Sequence, residues 1–163
     1  MSEYRERILR TLGERSPIET MEATVPRLEE LSRRLGPAGM KRSYGPGKWT
    51  AFQILAHLAD AEMGVGVRLR QVLAEDDHKA QAFDPDRWAS RYPDLKADGA
   101  AALRALAAVR PWNLALIRTL TPKDLARPFY HPERGMESVD LIVKLWAGHD
   151  LNHLAQLEQI AGR

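Results

Sequence analysis

The stretch SVDLIVKLWAGHDLNHLAQLEQIA, residues 138–161, decides the fold. Its apolar residues recur at three- and four-residue intervals, the spacing of one face of an α-helix. Ser138 precedes the first of them and is a favoured N-cap residue, so the helix is predicted to begin there and to run to about residue 161. The face consists of Val139, Ile142, Trp146, His149, His153 and Ile160.

Two long helices are predicted in the N-terminal half. The first covers 16–35, where the segment SPIE at 16–19 combines a capping box with proline at the first helical position. It ends where a Gly-Pro pair follows. The second begins at Thr50, with Gln53 completing another capping box, and runs to about residue 74.

A further long helix is predicted over about 99–120, with Asp98 as its N-cap. Pro111 lies inside it and is expected to bend it or to break one hydrogen bond. A shorter helix over about 3–12 precedes all the others. No segment alternates between apolar and polar residues for long enough to predict a strand.

Four long helices of similar length predict an all-α four-helix bundle with a short additional N-terminal helix, folded as one domain over residues 1–163. The link over about 75–97 is rich in Asp, Pro and aromatic residues. A link of this length can cross the bundle, so the helices on either side need not be antiparallel neighbours. Long connections of this kind are often functional.

Composition narrows the classes of protein. Hydrophobic residues make up 44% and charged residues 28% of the 163 residues, the balance of a soluble globular chain. No apolar run is long enough for a membrane span, and the charged N-terminus is no signal peptide, so a cytoplasmic location is expected. The net charge of +2 comes from interspersed acids and bases, which speaks against nucleic-acid binding. Because the chain contains no cysteine, it has neither a thiolate metal ligand nor a cysteine nucleophile of its own.

Three of the five histidines lie on apolar helix faces. His149 and His153 are one turn apart, displaced by about 40° and 6 Å, so both rings can reach one point beside the helix. His57 lies in mid-helix among alanines and leucines. Three imidazoles that converge in one core need a shared partner, and a divalent cation can serve all three. The sequence therefore predicts a metal site of His57, His149 and His153.

Each of these histidines also has a simpler interpretation. His57 alone is more often a core histidine bonded to a backbone carbonyl than a ligand, and the pair on the last helix is a metal half-site about half of the time. The segment 149–153 is a variant of the H-E-x-x-H zinc motif, but Asp follows the first histidine, and only ten residues remain downstream for a third ligand. The third ligand must then come from upstream, which favours His57. His78 and His131 lie in predicted loops and are expected at the surface, with His131 the better candidate for a role in a pocket.

Other residues near the predicted site each have a functional and a structural interpretation. Ala61 and Gly64 follow His57 on the same helix face and leave room for a ligand, although Gly64 and Gly66 can equally admit a neighbouring side chain. Trp146 is either a pocket wall or core. Arg110 either holds an anionic substrate or, more commonly, forms a surface ion pair. Three acids are candidates for orienting ligands or carrying protons, although such residues are usually solvated: Asp60, Glu62 and Asp150.

Three stretches resemble one known family, the DinB-like superfamily of metal-dependent bundle proteins. The first is PGKWT (46–50) followed by ILAHLADAE (54–62). The second runs from FDPD (83–86) through the helix that ends near Leu120. The third is HPERG (131–135) leading to AGHDLNHLAQ (147–156). Together they follow the family's order over residues 17–160, and the motifs of the second and fourth long helices are specific as a pair.

The resemblance implies an up-down-down-up bundle with a long crossover between the second and third long helices, often assembled as a homodimer. It also implies that His57, His149 and His153 hold one divalent ion, with nickel or zinc expected first and iron, copper or manganese as alternatives. Characterised members of this family include transferases and isomerases that use low-molecular-weight thiols such as bacillithiol or mycothiol.

Three histidine ligands leave coordination positions open, as in catalytic metal sites. Such an ion can activate water to hydrolyse an ester or amide, or it can bind a small thiol as thiolate. The resemblance favours thiol-dependent transfer to a small-molecule substrate, with hydrolysis next. A non-catalytic stress protein that binds metal or a small molecule is the alternative from a different class.

Overall fold

The computed structural model describes residues 3–92 and 99–162, and these fold into four long helices, three short ones and one hairpin. In chain order, the elements are α1 (Glu3–Leu12), α2 (Pro17–Gly39), α3 (Ala51–Ala74), α4 (Pro85–Ala89), α5 (Gly99–Ile117), α6 (Pro122–Leu125), β1 (Pro128–His131), β2 (Gly135–Ser138) and α7 (Val139–Ala161). The predicted all-α four-helix bundle with a short N-terminal helix is confirmed. Asp98, the predicted cap of α5, lies outside the described residues.

The helix starts follow the predicted caps. The side chain of Thr50 accepts a hydrogen bond from the N–H of Gln53 (3.2 Å), whose side chain accepts one in return from the N–H of Thr50 (2.9 Å). Ser16 and Ser138 likewise cap α2 and α7. The predicted end of α2 is a break rather than a terminus, because Gly36 adopts a positive φ of 58° and a further short helical stretch follows it.

The long helices α3 and α5 are parallel neighbours. Leu55, near the start of α3, packs against Gly99 at the start of α5, and Gly66, further along α3, packs against Asn113. Since both helices run in the same direction, the link between them must return along the length of the bundle. This is the predicted crossover.

The remaining helix directions complete the topology. Thr24 of α2 bonds to Asp150 of α7, and Arg27, further along α2, bonds to Glu158, further along α7. These two helices are therefore parallel. The N-terminal half of α3 shares one apolar cluster with the C-terminal half of α7, and the opposite halves share the other, so α3 and α7 are antiparallel. The order up-down-down-up follows for α2, α3, α5 and α7.

A two-stranded antiparallel hairpin, β1 and β2, precedes α7, and the prediction of no strand was wrong here. Each strand has four residues, which is too short for an alternating pattern to stand out in the sequence. Gly135 turns the hairpin with a φ of 77°. Tyr130 also exchanges backbone hydrogen bonds with the crossover, at His78 and Ala80. The hairpin therefore ties the start of the crossover to the start of α7.

Among residues 3–92 and 99–162, none of the helices combines the length and the apolar character that a membrane span requires.

Gly148 lets α1 lie directly on α7, and its replacement by alanine is expected to cost about 1–3 kcal/mol of the free energy of unfolding. A Cβ there would meet the backbone carbonyl oxygen of Ile8 and stand 2.8 Å from its Cγ2, so the two helices would have to separate. Gly64→Ala is the matched control. Its Cβ would stand 3.8 Å from Phe83, an ordinary contact, and a helical alanine is favoured over glycine by up to about 1 kcal/mol. Urea unfolding of both variants checks the prediction, and equal effects would contradict it.

Candidate metal centre

The structure brings the three predicted histidines together between α3 and α7. The Nε2 atoms of His57 and His149 are 2.8 Å apart, and those of His149 and His153 are 3.1 Å apart. One nitrogen from each ring lies within 4.8 Å of the others. The rings of His149 and His153 come from successive turns of α7, and that of His57 comes from the antiparallel helix α3. The packing of these two helices therefore sets the relative positions of the three rings.

The three imidazoles are neutral at pH 7. Burial, followed by the neighbouring ring of His153, lowers the pKa of His57 to about 3. Burial also lowers the pKa of His153 to about 4, and that of His149 well below its usual value. The Nδ1 of His153 lies 2.8 Å from Oε1 of Gln156, which assigns its proton to Nδ1 and leaves the Nε2 lone pair free.

This donor set fits a divalent metal ion. With bonds of about 2.0–2.1 Å to one ion, adjacent imidazole nitrogens stand about 2.9–3.3 Å apart, close to the two separations in the cluster. A single cation accepts all three lone pairs at once. The amide of Gln156 plays the orienting part that ligand histidines in metal sites require, because it fixes the tautomer and the plane of its ring.

Trp49 covers the cluster from one side, and the sequence analysis did not single it out. Its ring is stacked on His153, with 6.0 Å between centroids and an interplanar angle of 11°, and lies 4.8 Å from the ring of His57. Its indole N–H donates to Asp86 of α4 (2.9 Å). The crossover thus holds one wall of the site, consistent with a functional role for this long link. The sequence signal was the position of Trp49 directly before the α3 cap, inside the PGKWT motif.

A cavity of about 680 Å³ opens in front of the histidines. Ala61 lines it, as predicted, and Trp146 is both a cavity wall and part of the core. Gly64 does not line it, and Gly66 admits the side chain of Asn113, which would stand 2.7 Å from an added Cβ. The room in front of His57 therefore comes from Ala61 and not from the glycines.

The four charged residues that the sequence analysis discussed near the site are buried, so the expectation that they are solvated was wrong. Arg110 is 2% exposed and pairs with Glu62 (2.7 Å) and with Asp150 (2.6 Å) in the bundle interior. Asp60 is buried too, and its Oδ1 accepts a hydrogen bond from the hydroxyl of Tyr92 (3.0 Å). None of the three acids lines the cavity, so the structure gives them no part in carrying protons for a bound substrate.

The two remaining histidines differ from their predicted surface positions. His131 is 1% exposed and lines the cavity, so the expectation of a surface loop was wrong, and its alternative placement at a pocket is correct. It is buried because β1 packs its alternate residues inward. His78 is partly buried, bonds to Glu75 (2.9 Å) and lies outside the cavity.

Comparisons with known proteins agree with this architecture. A sequence model of the DinB superfamily matches residues 20–157. A protein of Oceanobacillus iheyensis is 32% identical over 121 residues, which are 74% of this chain and 70% of that protein. YfiT of Bacillus subtilis is 26% identical over 147 residues, 90% of this chain and 83% of YfiT. Both relatives are named, provisionally, as metal-dependent hydrolases.

The solved structure of YfiT superposes on this fold with a TM-score of 0.83 and 28% sequence identity, covering 90% of this chain and 85% of YfiT. It is described as having an unusual four-helix bundle topology. The agreement over nearly the whole chain supports the up-down-down-up order derived above from the helix contacts.

Proposed function

The chain belongs to the DinB superfamily, and from that premise we propose that it is a metal-dependent hydrolase of small molecules. One observation carries the proposal: three neutral imidazole nitrogens converge at a cavity large enough for a small substrate. His57, His149 and His153 hold the ion, with nickel or zinc expected first and iron, copper or manganese as alternatives, since imidazole suits several of these metals.

When bound, the ion supplies Lewis acidity, which activates water and polarises the substrate group to be cleaved. The protein's own residues prepare the site for it. Gln156 keeps the proton of His153 on Nδ1, so that no step is needed to free its Nε2 lone pair. Trp49 keeps bulk water away from one side of the rings. Ile142 and Trp146 offer an apolar wall to the substrate.

The resemblance favoured thiol-dependent transfer, but no particular residue that lines the cavity supports this reaction. Because the chain has no cysteine, the thiol would have to be a second substrate. Hydrolysis needs only water. Hydrolysis therefore takes first place, and the assay below includes the thiol reaction as a separate outcome. Homodimer formation and a cytoplasmic location remain predictions.

The test begins with elemental analysis of the purified chain, where about one divalent ion per chain is expected. The protein is then stripped with a chelator, reloaded separately with zinc, nickel, manganese, iron or copper, and assayed against carboxylic esters, lactones and amides. Hydrolysis that depends on the reloaded metal supports the proposal. A parallel arm offers small thiols together with an electrophile.

Three results would overturn the proposal in different ways. Turnover only in the thiol arm would assign the chain to the transferases. Bound metal with no turnover in either arm would favour a non-catalytic binding protein. Absence of metal from the native protein, together with no uptake on reloading, would remove the basis for metal-dependent chemistry.

A further inference from the structure

The cavity is an elongated groove between α3 and α7. The residues of α3 that line it recur at helical spacing over eleven positions, which is about 16 Å at 1.5 Å per residue. Since α7 is antiparallel, its lining residues span the same length in the opposite order. In order along the groove, α3 contributes His57, Ala61, Val65 and Arg68, and α7 contributes His153, His149, Trp146 and Ile142. The histidine cluster therefore occupies one end, apolar side chains line the middle, and Arg68 lies at the other end.

Arg68 is a partly buried guanidinium with no direct ion pair among the described residues. Its one hydrogen bond is from Nη2 to the backbone carbonyl of Gln81 (2.9 Å), and no acid of the described residues forms an ion pair with it. Burial, and next the charge of Arg134, lower the pKa of Arg68, and the more distant charges of Glu137 and Glu133 oppose this only in part. Arg134 is bonded to Glu137 through two contacts (2.7 and 2.9 Å), whereas Arg68 has no carboxylate within ion-pair distance among the described residues.

His131 adds a second donor at this end of the groove. Its Nδ1 accepts a hydrogen bond from the backbone N–H of Glu133 (3.2 Å). The proton of the neutral ring is therefore on Nε2, which has no hydrogen-bond partner among residues 3–92 and 99–162, although the side chain is 1% exposed. The carboxylate of Glu133 also lies at this end, but it is exposed and forms no ion pair with Arg68.

We infer that Arg68 and the Nε2–H of His131 bind a carboxylate of the substrate, while its reacting group lies at the histidine cluster. A partly buried cation without a direct ion pair favours an anionic ligand. One guanidinium without a direct ion pair, together with one neutral donor, suits a monoanion, which a carboxylate is and a phosphate monoester is not. Because the middle of the groove is lined by Val65, Ile142 and Trp146, the substrate is an elongated molecule with an apolar segment. The position of the reacting group rests on the proposed function, whereas the carboxylate subsite does not.

The inference predicts a preference for octanoate over octanamide, two probes that are matched in length and differ in charge. Calorimetric titration of the protein as purified should give octanoate an affinity about tenfold or more higher, the size of a charge-assisted hydrogen bond. Arg68→Gln should remove the preference, and Arg68→Lys should keep most of it. Arg118→Gln, an exposed arginine of similar chemistry outside the cavity, is the control and should behave like the native chain.

The same titration after treatment with a chelator separates this inference from the proposed function. Persistence of the octanoate preference without metal places the carboxylate at Arg68 and not at an ion on the histidines. Equal affinities for the two probes, or an Arg68→Gln variant that keeps the native preference, would overturn the inference even if the chain proves to be a metal-dependent hydrolase. Tighter binding of octyl phosphate than of octanoate would overturn the choice of a carboxylate.

Discussion

Replacing His153 with alanine is expected to reduce the metal content of the purified chain from about one ion to less than about a tenth of an ion. The variant keeps the Nε2 atoms of His57 and His149 but loses the one ring whose tautomer is set by Gln156. Since loss of a supporting hydrogen bond alone typically costs 10- to 100-fold in metal affinity, loss of a ligand costs more. Elemental analysis of native and variant protein, purified in parallel, measures the effect.

Two further variants make this result specific. His78→Ala removes a histidine that lies outside the cavity and should leave the metal content unchanged. His57→Ala removes the ligand on the other helix and should abolish metal binding as His153→Ala does. Circular dichroism and thermal unfolding verify that each variant is folded. If folded His153→Ala and His57→Ala both retained the native metal content, the ion would have to lie elsewhere in the chain.

The bundle was predictable because its signals are local. Each long helix has an apolar face with three- and four-residue spacing, and Thr50, Ser16 and Ser138 cap the helices at which the sequence placed them. The pair His149 and His153 was predictable for the same reason, since spacing on one helix fixes their relation. That His57 joins them from another helix required the inference that buried imidazoles share a partner.

The polar interior was not predictable from spacing, because its partners come from different helices. Arg110, Glu62 and Asp150 each interrupt an apolar region and look like solvated residues when read one at a time. Their burial depends on three side chains of α3, α5 and α7 meeting at one level of the bundle. Hydropathy along a single helix contains no information about such a meeting.

The residues at the far end of the cavity were only partly predictable, for a related reason. His131 was a candidate for a pocket, but its burial depends on a hairpin too short to predict, and the sequence analysis did not single out Arg68. Both line the cavity because the hairpin lies against it. Trp49 and Asp86 are 37 residues apart, and only the return of the crossover over the histidines brings them into contact.

Removing the guanidinium of Arg110 is expected to have the largest effect on stability of any single substitution in the interior. It pairs with Glu62 and Asp150 and also donates to the backbone carbonyl of Met21 (3.1 Å), so it joins α5 to three other helices. In Arg110→Met, two buried carboxylates lose their positive partner. Loss of one partner from a buried ion pair costs about 3–5 kcal/mol of the free energy of unfolding at pH 7. Urea unfolding at pH 7 measures the cost.

The variant Arg110→Met should also be less destabilised in acid, and Glu62 gives the sign. Burial raises the pKa of Glu62, and Arg110 opposes this rise, so removing Arg110 raises the folded-state pKa further. The penalty is therefore complete above that raised pKa and shrinks as the pH falls through it, because the protonated carboxyl no longer needs a cation. In a Glu62→Gln background, the cost of Arg110→Met should fall by about 1 kcal/mol or more, as expected for groups in one network. Equal costs in the two backgrounds would mean that the ion pair between Arg110 and Glu62 contributes nothing to the stability of the bundle.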